Sequence, residues 1–367
     1  MGQGVRALGE TTEASHLRFL DGLRGLACLW VVLDHLHLEE LARGLPAGVH
    51  RWVFDSGIVG VMVFFVLSGF VIARSWGDAV PGGAPVEAAH VGRFIARRWM
   101  RLSPPYYVAL AAAVVVTVVG AVVREDGGRA PSAGSLVAHL LYLQGLVDVE
   151  PINAVFWTLA IEMQFYVAFA ALVWLIARLD LRSPELAQSA LVIVAACTVV
   201  WPIRGLDLVN QSHLAAYGFA FASGAFSWWR GQGVLEPGVY WVFHAILAAS
   251  WLRWQDPLVG AVVLTGPVLL AATSGDRMMR WLGQRPLQRL GAVSYSLYLV
   301  HAPVIGIVAW LGERALGTGA ITDAVMVVPA VAMSLAVAFV LHRQVEVPAL
   351  RWSRALRRPI APVIAAP

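Results

Sequence analysis

Apolar residues run through this chain in long blocks, separated by short segments rich in arginine. About 20 apolar residues carry a helix across the hydrocarbon of a bilayer. Ten blocks approach or reach that length: Phe19–Leu38, Gly57–Trp76, Pro104–Val123, Phe156–Ala177, Leu186–Pro202, His213–Trp229, Val239–Leu252, Pro257–Thr273, Leu290–Leu311 and Ile321–Leu341. The seventh and eighth are short and read as one hairpin or as tilted helices. A further apolar stretch, Leu136–Val149, is too short to cross and reads as re-entrant or interfacial. The pattern predicts an all-α polytopic membrane protein of about ten transmembrane helices. It consists of an N-terminal segment 1–18, a transmembrane domain 19–341 and a basic tail 342–367, whose Pro359–Pro367 end is expected to be disordered. The first apolar block has no small-residue cleavage site after it, so no signal peptide is expected. No soluble domain and no internal repeat of the transporter kind is discernible.

Composition agrees: 59% of residues are hydrophobic and only 14% charged, where soluble domains sit near ~25% charged. Every basic residue other than histidine is arginine, which together with abundant Ala, Gly and Val suggests a GC-rich bacterial genome. With the N-terminus in the cytoplasm and ten crossings, 20 arginines fall on the cytoplasmic side and 7 on the other. This asymmetry is what the positive-inside rule requires, and it makes both termini cytoplasmic. The net charge of +4 therefore reads as topology and lipid headgroups, not nucleic-acid binding. Cys28 and Cys197 both lie inside apolar blocks, which argues against a disulfide and a cysteine-ligated metal.

Charged groups inside a span are costly and mark candidate sites. Arg24 and His35 in the first block are eleven residues apart, which places them ~20° apart around a helix and ~16 Å apart along it. Asp21 lies one turn before Arg24 and can pair with it, and Asp34 adjoins His35. Cys28 shares the stripe but sits ~10 Å from His35 along the axis, too far for a nucleophile–base pair. A second group, Arg93, Arg97, Arg98 and Arg101, precedes the third block, with Arg98 and Arg101 on one helix face. Guanidinium forks grip phosphate bidentately, so a ligand with several phosphates is the natural guest. A third group sets Glu162 and Tyr166 one turn apart, and a fourth gathers Ser294, Tyr295, Ser296, Tyr298 and His301. For single tyrosines and serines, core hydrogen bonding is the commoner role.

The order of these motifs resembles the membrane acyltransferase-3 family. The resemblance rests on Leu20-Asp21-Gly22-Leu23-Arg24-Gly25 followed by His35, and on Phe64-Phe65-Val66-Leu67-Ser68-Gly69-Phe70. It continues in Arg98-Trp99-Met100-Arg101 with Pro104, Pro105 and Tyr106, in Trp157 to Glu162 and Tyr166, in Ser294 to His301, and in Glu346-Val347-Pro348. Asp34 departs from the pattern, where an uncharged residue is expected. The resemblance implies a ten-helix core and transfer of an acyl group, usually acetyl, from acyl-CoA to a hydroxyl, commonly of a sugar. It implies a catalytic role for His35 and donor binding or positioning by Arg24, Arg98 and Arg101. Glu162, Tyr166 and Tyr107 are further candidates for substrate binding, and Asp21, Asp34, Ser68, Trp157, Tyr295 and His301 for supporting roles. The partners expected are acyl-CoA, a glycan or glycoside and the bilayer of a bacterial cytoplasmic membrane, with no metal and no nucleic acid. No glycine-flanked serine elbow is present, which argues against a serine hydrolase scheme. The competing reading is a proton-coupled transporter with His35, Glu162 and His301 as relay.

Overall fold

The computed structural model describes residues 2–39, 41, 57–76, 86–124, 130–179, 184–205, 213–274 and 282–356; the expected disorder at Pro359–Pro367 falls outside them. Every regular element among the described residues is a helix. In chain order these are α1 (Gly2–Leu38), α2 (Ile58–Trp76), α3 (Ala88–Arg124), α4 (Ala133–Leu140), α5 (Phe156–Arg178), α6 (Pro184–Thr198) and α7 (Val200–Arg204). They continue as α8 (Leu214–Gly231), α9 (Pro237–Trp254), α10 (Pro257–Ser274), α11 (Arg285–Leu316), α12 (Ala320–Leu341), a π-turn (His342–Glu346) and α13 (Val347–Ala355).

Each apolar block coincides with helix, and among the described residues five stretches are long and apolar enough to cross a membrane: Ile58–Trp76, Ala88–Val123, Phe156–Arg178, Arg285–Leu316 and Ala320–Ala355. The chain is therefore a multi-pass helical membrane protein. The other blocks form shorter or more polar helices; the block in α1 carries Asp21, Arg24 and Asp34. The seventh and eighth blocks form a hairpin of two 18-residue helices, α9 and α10. Gln255 turns the chain in the left-handed region at φ 54°, and the Asp256 carboxylate accepts the Leu258 N–H at 2.8 Å to cap α10. Leu136–Val149 does not cross. It forms the short helix α4, capped by the Ser132 hydroxyl on the Ser135 N–H, and then folds back in turns.

The structure also departs from the sequence reading. Helix α3 does not begin at Pro104 but runs through Pro104 and Pro105, so the arginine cluster and the apolar block share one rod. Helix α1 extends back to Gly2. Cys197 is exposed on α6, while Cys28 is buried with its thiol on the Ser294 carbonyl at 3.3 Å.

Bare glycine surfaces let the site-bearing helices approach closely. A Cβ on Gly224 of α8 would lie 1.8 Å from the Val66 carbonyl oxygen of α2, and one on Gly69 would lie 1.9 Å from that of Phe221. A Cβ on Gly291 of α11 would likewise meet the Asp21 carbonyl oxygen of α1 at 2.0 Å. Such contacts replace the hydrophobic drive that bilayer helices lack among themselves. Large apolar side chains such as Val122, Ile321 and Val328 point outward instead, as a lipid-facing surface requires.

Candidate active site

Five helices bring the sequence-predicted groups together. A cavity of about 110 Å³ is lined by Arg24 of α1, Ser68 of α2, Arg98 and Arg101 of α3, Glu162 and Tyr166 of α5, and Tyr295 and Tyr298 of α11. The through-proline continuity of α3 fixes the arginine pair against α5.

Arg98 is 9% exposed, and its guanidinium lies 5.4 Å from the ring centres of both Phe94 and Tyr166. Among the described residues neither Arg98 nor Arg101 has a carboxylate within ion-pair distance. A buried guanidinium without a partner is costly, and here it faces a cavity. Arg24 is held by Asp21 at 3.9 Å. Glu162 acts on the slot indirectly. Its Oε1 accepts the Ser68 hydroxyl at 2.6 Å and the Tyr166 hydroxyl, which sets the ring beside Arg98.

The inner wall is a hydroxyl chain. Tyr298 hydrogen-bonds Thr158 at 2.8 Å, and Thr158 donates to the Val155 carbonyl at 3.0 Å. The Tyr298 ring lies 5.8 Å from that of His301, and His301 meets His35 edge-to-face at 4.6 Å. His35 is thus not among the residues lining the arginine cavity; it stands one layer deeper, behind Tyr298 and His301. His35 Nδ1 lies 3.0 Å from the Val31 carbonyl oxygen. Only an N–H can satisfy that acceptor, so the proton sits on Nδ1 and the Nε2 lone pair is available. His301 is built the same way, with Nδ1 on the Leu297 carbonyl at 3.0 Å and a buried Nε2 that has no partner. The second histidine sets an unpartnered ring nitrogen beside His35, which the sequence only hinted at by placing His301 in an apolar run.

Several expected roles change. Asp34 lies 4.0 Å from His35 Nδ1 and instead accepts the Gly57 N–H at 2.9 Å, so it ties the start of α2 to α1, and the tautomer is fixed by Val31. Tyr107 does not line the cavity. Its hydroxyl donates to the Leu140 carbonyl at 2.9 Å, as that of Tyr106 does to His139 at 3.0 Å; both tie α3 to the end of α4, where the His139 carbonyl also accepts the Tyr142 N–H at 3.1 Å. Trp157 packs on Tyr217. The Tyr295 ring faces the cavity, but its hydroxyl is engaged with the Leu102 carbonyl at 2.7 Å. Glu346, read from sequence only as a closing signature, is buried and accepts from Ser296 at 2.6 Å with His342 at 2.9 Å. It locks the π-turn to α11. Thr158 and Tyr298 earned no role from sequence, because a hydroxyl in an apolar helix looks the same whether it lines a cavity or a core. Among the described residues no cluster of His, Cys, Asp and Glu suits a metal ion.

Comparison with known proteins gives this constellation a context. The acyltransferase-3 family model, described as an acyltransferase domain, matches residues 17–343. A candidate membrane-bound transacylase of Komagataeibacter xylinus is 29% identical over 315 residues, covering 80% of this chain and 74% of that protein. An exopolysaccharide production protein of Rhizobium meliloti is 29% identical over 321 residues, covering 83% of this chain and 93% of its own. A peptidoglycan O-acetyltransferase of Listeria monocytogenes is 24% identical over 321 residues, and the match covers 78% of this chain but only about half, 49%, of that relative. No solved structure matches the chain at a significant level. The family match spans every motif that lines the cavity and the histidine pair behind it, and the chain belongs to the acyltransferase-3 family of membrane acyltransferases.

Proposed function

We propose that this protein is an O-acyltransferase of a bacterial cytoplasmic membrane. It crosses the bilayer ten times with both termini in the cytoplasm, and it moves an acyl group, acetyl in the simplest case, from cytoplasmic acyl-CoA to a hydroxyl of a sugar or glycosylated acceptor. The observation that carries this reading is the buried guanidinium of Arg98, without a carboxylate partner among the described residues, set with Arg101 and Arg24 around one cavity whose Tyr298 wall is backed by the histidine pair. A relay that moved only protons would not need a phosphate-shaped arginine fork, and the family is one of acyltransferases. The Listeria and Rhizobium relatives act on, or serve the production of, carbohydrate polymers by name, which favours a sugar hydroxyl.

The donor's phosphates sit against Arg98 and Arg101, where the charge-assisted bonds are strongest. Its thioester arm points past Tyr298 toward His35. The His35 Nε2 lone pair takes the acceptor hydroxyl's proton as the oxygen attacks the thioester carbonyl. Collapse of the tetrahedral intermediate breaks the C–S bond, and the imidazolium returns its proton to the departing CoA thiolate. A base near neutrality suits this step. His301 holds the His35 ring from the side and excludes water.

Purified protein assayed for CoA release and acyl transfer tests the reading. His35→Ala is expected to lower kcat by about 10²–10⁴, the usual worth of a general base. Arg98→Ala/Arg101→Ala is expected to raise the KM for acyl-CoA by about 10²-fold, the loss of two charged hydrogen bonds. Full transfer by the His35 variant removes its catalytic role, and an unchanged donor KM in the arginine variant removes the phosphate site.

A further inference from the structure

A second cavity, of about 500 Å³, lies between α3 and α11. Its position follows from the order of residues along the chain. In the first segment, Arg24 of α1 lines the arginine cavity and Glu39, just past the helix end, the second, with His35 between them. On α11, Tyr298 lines the first and Ala302 the second, with His301 between them. The antiparallel α5 agrees in reverse, since Asn153 before its start lines the second cavity and Thr158 and Glu162 line the first. Three segments thus set the histidine pair as the partition between two chambers. The Glu39 N–H donates to the His35 carbonyl at 3.0 Å, so the second chamber begins one helical turn beyond the base.

The inner end of this chamber is polar and incomplete. Asn153 is 7% exposed. Its Oδ1 accepts the Val155 N–H at 3.1 Å, which fixes the orientation of the amide, because only the oxygen can accept. The Nδ2 group is therefore held in place, and it is buried without a hydrogen-bond partner. A buried donor left unpaired is costly, a cost that a ligand oxygen removes. The outer wall is of another kind. Val115 and Val119 of α3 line the chamber while 60% and 53% exposed, so this side opens onto the surface that lipid covers. Trp310 of α11 stands opposite, and a tryptophan at such a boundary suits an amphipathic guest.

We propose that this chamber is the acceptor site, entered laterally from the bilayer, and that the acceptor is a hydroxylated, sugar-like head carried on a lipid tail. The head's oxygen takes the Asn153 Nδ2 bond and presents a neighbouring hydroxyl to His35, while the tail lies along the valine wall. A soluble sugar would gain nothing from that wall. The inference rests on the acyltransfer reading above and adds to it the side of entry and the class of acceptor.

The test uses the full-length protein in lipid vesicles, with labelled acetyl-CoA as donor and two probe acceptors, methyl β-glucoside and dodecyl β-glucoside. Dodecyl glucoside is expected to accept label with a KM at least about tenfold below that of methyl glucoside. Asn153→Asp keeps the oxygen that accepts the Val155 N–H but loses the donor, and Val119→Trp fills the wall; each is expected to raise the KM for dodecyl glucoside about tenfold, one hydrogen bond or one filled subsite. Val122→Trp on the same helix, 72% exposed and outside the chamber, controls for partitioning into the bilayer and is expected to leave that KM unchanged. Equal KM values for the two glucosides, or equal effects of the two tryptophans, would overturn the proposal. CoA release without label on either glucoside would reject the lipid-carried sugar while leaving the acyltransferase reading intact. No turnover of acetyl-CoA under any condition would end both.

Discussion

At the scale of single residues, Arg98 concentrates the physics of the site. A guanidinium between the rings of Phe94 and Tyr166 is oriented before any ligand arrives, so little freedom remains to be lost on binding. Arg98→Lys separates orientation from charge. Lysine keeps the positive charge but has neither the fork nor the flat face that stacks, and the KM for acyl-CoA is expected to rise about 10–100-fold. Tyr166→Phe removes the hydroxyl held by Glu162 but leaves the ring, so a smaller rise is expected of it. Donor titrations of the two variants check the order, and an Arg98→Lys enzyme with the parent KM would show that charge alone suffices. The spacing of Arg24, His35, Arg98 and Arg101 made these residues legible in the sequence. The roles of Tyr107 and Asp34 were not, since each depends on a distant backbone group, the Leu140 carbonyl and the Gly57 N–H, that only folding brings near.

At the scale of elements, the short helix α4 and its return show what a hydropathy pattern leaves out. The pattern identified Leu136–Val149 as a segment that does not cross, but not what anchors it. The anchor is His139, fully buried, with Nδ1 on the Ser135 carbonyl at 2.8 Å and Nε2 accepting the Ile152 N–H at 3.2 Å. Tyr142 follows in the left-handed region at φ 59°, a costly conformation for a bulky residue, held by its hydroxyl on Ser103 at 3.1 Å and its ring on Tyr106. Ile152 immediately precedes Asn153, so His139 steadies the loop that forms the inner end of the second chamber. Burial pushes the His139 pKa below its ordinary 6.5, partly opposed by the Ser135 hydrogen bond. The folded protein therefore binds this proton less tightly than the unfolded chain does. The stabilising contribution is complete above about pH 6.5 and declines as pH falls through and below that value. His139→Gln cannot titrate. The melting temperature of the parent is expected to exceed that of the variant by more at pH 7.5 than at pH 5, measured in detergent micelles. A gap that does not change with pH would show that His139 does not carry the effect. The rod of α3 was equally hidden, because a Pro-Pro pair reads as a helix start, and only packing against α5 and α13 shows that the helix passes through it.

At the scale of the whole molecule, the two chambers bear on how the chain threads the bilayer. Hydropathy and length alone single out five crossing helices among the described residues, whereas the topology proposed above has ten spans. The proposed ten-span topology makes a statement about where helix ends should meet. Ten alternating crossings put Arg24, the end of α2, the start of α3 and the start of α11 at one face, and these segments do converge on the arginine cavity. The same alternation puts the end of α1, the outer part of α3, the loop before α5 and the second half of α11 toward the other face, where they meet around the second chamber. What this grouping does not test is the α9–α10 hairpin, whose helices are each 18 residues long, or ~27 Å, just under the hydrocarbon thickness. If the hairpin crosses, Gln232 before α9 faces the cytoplasm, and Gln255 at its tip faces the other side together with Thr318 between α11 and α12. All three are exposed. Single cysteines at these positions, in a Cys197→Ser background with the buried Cys28 retained, report their side through a membrane-impermeant maleimide. Gln255→Cys and Thr318→Cys are expected to react in right-side-out preparations and Gln232→Cys only in inverted vesicles. Reaction of Gln232→Cys and Gln255→Cys from the same side would leave α9 and α10 within one leaflet and reduce the count to eight. On the proposed reading the arginine cavity and the acceptor chamber would still lie on opposite sides, because α1 and α11 each carry, in sequence, a residue at the arginine cavity, one of the histidine pair and the approach to the second chamber.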